Sequence, residues 1–177
     1  MQKAVVIYKS KTGFTKKYAQ WIGEELNCVS IPYSEGKRIS LEDYDIIIFG
    51  GGLYAGMING LKWFKGELPK LHGKKVAIFA TGATPPGAPD IENALKRNFT
   101  EEELNKGNIF YLQSGLCYER MSFTGKLMMA LFRKMLKKTE GEDSEAYRMV
   151  QQSYDYSSKD AILLLTEYCK RPVGTDA

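Results

Sequence analysis

The sequence predicts an α/β domain whose parallel sheet is covered by helices on both faces. Three observations carry this reading. Short continuous apolar runs recur along the chain, helical periodicity fills the stretches between them, and a hydroxyl-rich turn joins the first run to the first helix. Apolar runs of this kind are buried on both faces and belong to parallel sheets. Their alternation with helices makes a doubly wound sheet, whose ligand crevice lies at the carboxyl ends of the strands.

Residues 4–8 (Ala-Val-Val-Ile-Tyr) form the first run, and Phe14, Tyr18, Ile22 and Leu26 then recur every four residues, as one face of a helix does. Residues 28–33 are shorter and more polar, as an edge strand would be. Residues 45–50 read as the third strand, 76–81 as the fourth and 108–113 as the fifth. Ile58, Leu61, Phe64 and Leu68 have helical spacing, and residues 90–104 read as helix with a break near Thr100. Ile162, Leu165 and Cys169 mark the last helix, with Ser157-x-x-Asp160 resembling a capping box before it.

A chain of 177 residues with this composition fits one domain covering 1–177. The first strand pattern starts three residues in, leaving no room for a signal peptide, and no apolar run approaches the ~20 residues that span a bilayer. A cytoplasmic protein is expected. Cys28, Cys117 and Cys169 are odd in number and lack a C-x-x-C pair, which argues against a disulfide scaffold or a zinc site. His72 is the sole histidine and sits in a turn-like stretch, so no metal ligand set and no catalytic triad is expected.

The turn after the first strand reads Ser10-Lys11-Thr12-Gly13-Phe14-Thr15. Amides at a helix N-terminus are unpaired and carry partial positive charge, so they stabilise an anion placed there. Gly13 lets the backbone approach closely, while Ser10, Thr12 and Thr15 add hydroxyl donors. A Walker loop needs a longer glycine-framed turn ending in Lys and a hydroxyl residue, and a dinucleotide fingerprint needs three glycines after the first strand. Neither is present. The same residue types also suit a ligand-free helix cap.

The loops after the third and fourth strands, 50–56 and 81–87, are rich in glycine or proline and reach the same sheet edge as the hydroxyl turn. Each is expected to be a turn whose backbone can lie against a flat ring. With the S-x-T-G-x-T turn, these stretches resemble the flavodoxin family over nearly the whole chain. The run Phe49-Gly50-Gly51-Gly52-Leu53-Tyr54-Ala55-Gly56 is similar to that of the menaquinone-dependent protoporphyrinogen oxidase type, as is a basic, aromatic insertion after the fifth strand, here at about 116–145.

The resemblance implies a five-stranded parallel sheet of order 2-1-3-4-5 that binds FMN. Ser10, Lys11, Thr12, Gly13, Phe14 and Thr15 would hold the phosphate. Gly52, Leu53, Tyr54, Ala55 and Gly56, with Thr81, Gly82, Ala83 and Thr84, would line the isoalloxazine. Many flavodoxins carry an aromatic after the fourth strand, and this chain has none at 81–85, so Tyr54 or the insertion would have to cover the ring.

Electron-carrier flavodoxins are typically acidic, whereas this chain has 25 Lys and Arg against 21 Asp and Glu. The excess is local: Arg120, Lys126, Arg133, Lys134, Lys137 and Lys138 face only Glu119 within 116–138, a net +5 against −1 for the remainder. On a helix, the lysines and Arg133 fall on one side and Met128, Leu131, Phe132, Met135 and Leu136 on the other. Either the apolar side packs on the domain, or the helix 126–138 meets an acidic redox protein or an anionic membrane surface, a peripheral contact. A nucleic-acid role is not expected, because no aromatic platform accompanies the charge. The expected function is electron transfer through the flavin, either as an oxidoreductase acting on a quinone or porphyrin-like substrate or as a carrier docking on redox proteins. No residue is expected to act as a catalytic acid or base.

Overall fold

The computed structural model describes residues 2–172. Strand β1 (Ala4–Lys9) leads into α1 (Phe14–Glu25), β2 (Val29–Pro32) and the single turn α2 (Tyr33–Gly36). Then come β3 (Ile46–Tyr54), the short β4 (Met57–Ile58), α3 (Leu61–Glu67) and β5 (Lys75–Gly82). Helices α4 (Pro89–Asn98) and α5 (Glu101–Asn105) precede β6 (Ile109–Gln113). The chain continues through β7 (Gly115–Leu116), α6 (Phe123–Thr139), α7 (Glu145–Met149), β8 (Tyr154–Asp155) and α8 (Leu163–Lys170).

The five long strands pair in parallel in the order β2-β1-β3-β5-β6, which is the 2-1-3-4-5 order of a flavodoxin-like fold. Alternate side chains explain why the runs are apolar throughout. Val5, Ile7, Ile47, Phe49, Ile78 and Ala80 face α3, where Leu61 and Phe64 cover them. Val6, Ile46, Ile48, Ala77 and Phe79 face α1 and α8, where Tyr18, Ile22, Leu165 and Cys169 cover them. Each fully buried Val, Leu, Ile or Phe side chain among them contributes about 1.5–3 kcal/mol. Val29, on the edge strand, is 56% exposed, which accounts for the polar character of that run.

Two elements differ from the sequence reading for steric reasons. Residues 50–54 continue β3 rather than forming a loop: Gly50 pairs with Phe79 and Gly52 with Thr81. A Cβ on Gly50 would stand 2.0 Å from the Phe79 ring, and one on Gly51 would stand 2.5 Å from the Asn59 carbonyl. These glycines make room inside the sheet, a use that resembles a turn in sequence. Ile58 belongs to β4, which pairs antiparallel with Leu53 and Tyr54, so α3 starts only after Gly60.

The break near Thr100 is a complete capping box: Thr100 Oγ1 accepts from the Glu103 amide and the Glu103 carboxylate accepts from the Thr100 amide. Before the last helix, the capping residue is Ser158 rather than Ser157, because the Ser157 hydroxyl bonds Asp155.

The segment after β6 is closed by an antiparallel ribbon in which Gly115 faces Asp155 and Leu116 faces Tyr154. Residues 117–153 therefore leave and rejoin the domain at one point. Lys17 on α1 fastens that point by pairing with Asp155 at 2.7 Å, and Tyr18 Oη donates to the Gln113 carbonyl beside it. Of the two alternatives open for the apolar side of α6, packing on the domain holds for Leu136 alone. Only Leu136 of α6 is buried, while Leu127, Met128, Leu131, Phe132 and Met135 are exposed. No helix among the described residues is long and apolar enough to cross a membrane.

Candidate functional site

The turn 10–15 lies between β1 and α1. Gly13 is the N-cap of α1 with φ +99°, a left-handed conformation that L side chains rarely adopt, and it supplies no side-chain cap. The Gly13 amide donates to Ser10 Oγ at 3.1 Å, which tightens the turn, and the helix proper begins with the Lys17 amide donating to the Gly13 carbonyl. The first-turn amides of α1 thus lie ahead of the helical ladder with no side chain satisfying them. That is the donor set an anion would occupy, with Thr12 beside it.

Thr15 is buried, and its hydroxyl lies 2.8 Å from that of Thr81 at the end of β5. Gly52 is the third member of this junction: a Cβ there would stand 3.4 Å from Thr15 Oγ1 and 3.7 Å from Thr81 Oγ1. The ends of β3 and β5 and the start of α1 therefore meet at one point, held by two hydroxyls and a missing side chain. The Gly52 carbonyl accepts from both the backbone and side-chain amides of Asn59, at 3.0 and 3.1 Å.

Ala55 and Gly56, both with positive φ (50° and 78°), form the two-residue turn between β3 and β4. Asn98 pins that turn from α4: its side-chain amide donates to the Gly56 carbonyl at 2.8 Å, and its oxygen accepts from the Ile58 amide at 2.9 Å. Leu53 packs against the core, whereas Tyr54 is exposed with Lys11 Nζ 3.8 Å from its ring centroid. Lys11 of the turn and Tyr54 of the hairpin are thus joined by a cation–π contact.

On the opposite side, Gly82, Ala83 and Thr84 are half-buried. Tyr111 Oη donates to the Thr84 carbonyl at 2.6 Å and closes on Gly82, where a Cβ would stand 2.8 Å from the same oxygen. Burial pushes the Tyr111 hydroxyl far above its usual range, so it stays a neutral donor.

The sequence reading missed four contributors. Arg120, from the segment between β7 and α6, reaches back over the turn: its Nη1 stands 2.6 Å from the position of a Cβ on Gly13. Its signal was present as a cation in a basic, aromatic stretch, but nothing in the spacing tied it to residue 13. Tyr111, Asn98 and Asn59 left no signal beyond their type.

A cleft of about 570 Å³ runs from the turn along α1 to the ribbon, lined by Thr12, Gly13, Phe14, Lys16, Arg120 and Tyr154 among others. Its acid, Asp155, is raised by partial burial, but bonds from Lys17 and Ser157 outweigh this and hold it below the usual carboxylate range. Asp155 therefore stays ionised and paired with Lys17, and Lys16, Lys17 and Arg120 outnumber it in the lining, so the cleft carries net positive charge beside the N-terminus of α1. No group of three or more potential metal ligands exists among the described residues.

A flavodoxin-like domain-containing protein, BilS of Clostridioides difficile (strain CD3), is 34% identical over 91 residues, spanning 49% of this chain and about half, 51%, of that protein. Among solved structures, the WrbA-like flavodoxin of Agrobacterium tumefaciens has a TM-score of 0.48 at 19% identity, covering 85% of this chain and 96% of that one. A flavoprotein from Lactobacillus acidophilus NCFM, solved in complex with FMN, has a TM-score of 0.43 at 16% identity, covering 64% and 91%. Residues 5–144, which contain the turn, the hairpin, the β5 end and most of the insertion, match the Flavodoxin domain family, and the chain belongs to that family.

Proposed function

We propose that this domain binds FMN and moves electrons between it and a quinone- or porphyrin-like molecule. The observation that carries the reading is the uncapped start of α1, where Gly13 in a left-handed conformation lies beside Thr12 in the cleft lining and under Arg120. A dianionic phosphate would be held there by backbone amides, a hydroxyl and a guanidinium. The junction of Thr15, Gly52 and Thr81 sets the distance from that point to the β3–β4 hairpin and the loop after β5. Between the two, Tyr54 and the backbone of residues 82–84 would border a flat ring.

The flavin supplies the redox chemistry once bound. The protein's part is to hold the phosphate, offer amide and carbonyl groups to the ring edge, and limit access to it. A small acceptor is favoured by the insertion, which leaves and rejoins the domain next to α1 and narrows that side of the site.

The visible absorption spectrum of the purified protein tests the first half. A flavin spectrum, or quenching of added FMN fluorescence with FMN bound more tightly than FAD, is expected, because no second glycine-framed turn is present for a pyrophosphate. A colourless protein that leaves FMN fluorescence unchanged would sink the reading. Steady-state reduction of a soluble quinone tests the second half. Turnover with protein acceptors alone would identify an electron carrier instead.

A further inference from the structure

Helix α6 is attached to the domain by one narrow face. Gly125, Met129, Arg133 and Leu136, spaced at four, four and three residues, are its less exposed positions. Arg133 sits 5.5 Å above the ring of Tyr118, whose hydroxyl donates to the Val150 carbonyl and anchors that face. This placement parts Arg133 from the lysines, with which the sequence groups it on one side of the helix.

The outward face is apolar and cationic together. Leu127, Met128, Leu131 and Met135 are 46–56% exposed and follow helical spacing, and Phe123 at the helix start is 83% exposed. Lys134 and Lys138 run beside this stripe and Lys126 flanks it, while Lys137 is paired with Glu142. No acid occurs between residues 123 and 139. A surface of this kind has a stripe that avoids water and a rim that attracts anions.

We propose that α6 docks the protein flat on an anionic lipid surface, with the Leu and Met stripe below the headgroups and the lysines among them. Seventeen residues give a helix of ~25 Å, and its charge keeps it in the plane of the interface rather than across it. Charge also separates this occupant from a second copy: pairing two α6 faces would bring lysine against lysine with no acid to neutralise them. Met side chains adapt to the irregular packing of lipid tails.

Cosedimentation of the full chain with vesicles tests this, independently of whether FMN binds, since the readout is lipid-bound protein. Binding is expected to phosphatidylcholine vesicles containing one-third phosphatidylglycerol at low salt, and to be lost on pure phosphatidylcholine and at high salt. Lys134→Gln with Lys138→Gln should weaken it about fivefold per cation. Leu127→Ser with Leu131→Ser should weaken it at least as much, with circular dichroism unchanged because these side chains are exposed. Absence of binding at low salt, or binding by both double variants as tight as that of the native chain, would overturn the proposal. A doubled solution mass abolished by Leu127→Ser with Leu131→Ser, without vesicle binding, would replace it with self-association. Retention on immobilised polyglutamate without vesicle binding would replace it with an acidic protein partner.

Discussion

Arg120 fills the space that a side chain on Gly13 would need: its Nη1 is 2.6 Å from the position of that missing Cβ. The two residues are far apart in sequence, yet the glycine that begins α1 and the cation that covers it lie together where the proposed phosphate would be held. Arg120→Ala is expected to weaken FMN binding about tenfold to a hundredfold, the ~1.5–3 kcal/mol of a hydrogen bond to a charged group. Riboflavin, which has no phosphate, should bind the variant as it binds the native protein. Fluorescence titration with both ligands checks this, and equal losses would place Arg120 in the packing of the insertion only.

Thr12 stands beside the same amides, in the wall of the cleft. Thr12→Val keeps the shape and removes the hydroxyl, so FMN affinity should fall by roughly tenfold or more with little change for riboflavin. Thr15→Val should behave differently, because the Thr15 hydroxyl is 2.8 Å from Thr81 and removing it leaves a buried hydroxyl unpaired. Denaturant unfolding should show a loss of about 1–3 kcal/mol for Thr15→Val and little change for Thr12→Val.

Ala55 is one of two non-glycine residues with positive φ among the described residues, and it lies in the hairpin turn of the proposed ring site. Backbone strain of this kind concentrates at functional sites. Ala55→Gly should relieve it and stabilise the fold by about 1 kcal/mol. Asn98→Ala should instead destabilise by ~2 kcal/mol or more, since it leaves the Ile58 amide and the Gly56 carbonyl without partners. Urea midpoints of the two variants, moving in opposite directions, are the expected result.

Lys75 is 4% exposed, and its ammonium donates to the Tyr168 carbonyl at 3.0 Å and the Arg171 carbonyl at 2.5 Å. A buried cation at the C-terminus of α8 satisfies carbonyls that the helix leaves open and complements its dipole. Lys75→Met should cost about 2–3 kcal/mol of stability and leave FMN affinity unchanged. Urea unfolding followed beside FMN titration separates the two effects.

Burial pushes the Cys28 thiol up to about 11 and the Cys169 thiol to about 12, the latter despite the nearby Lys75 cation. In the unfolded chain both ionise near ~8.5. Their contribution is therefore fully present below that value and is lost as pH rises through the window to 11–12. Unfolding free energy should fall by up to about 1.4 kcal/mol per thiol per pH unit there. Cys169→Ala should flatten the slope between pH ~8.5 and ~10.5, measured by urea unfolding.

The strands, the order of elements and the hydroxyl turn were legible in the sequence because each rests on local chemistry. Burial of β1 and β3 on both faces demands unbroken apolar runs, and the start of α1 demands glycine and small hydroxyl residues whatever surrounds it. The capping box at Thr100 was legible as a break for the same reason. What sequence could not show were the contacts made across long separations. Glycines 50–52 look like a turn, and only the ring of Phe79 and the carbonyl of Asn59 reveal that they lie in a strand. The periodicity of α6 gives its apolar side, but not whether anything covers it. Tertiary structure decided that by seating the helix on Arg133 and Leu136, which turns the Leu and Met stripe outward. Arg120 follows the same rule, since its approach to Gly13 is set by the ribbon of Gly115 and Tyr154 that returns the insertion to α1. A sequence pattern records what a residue needs from its neighbours along the chain. Which distant residue meets it depends on the path that the packed strands impose.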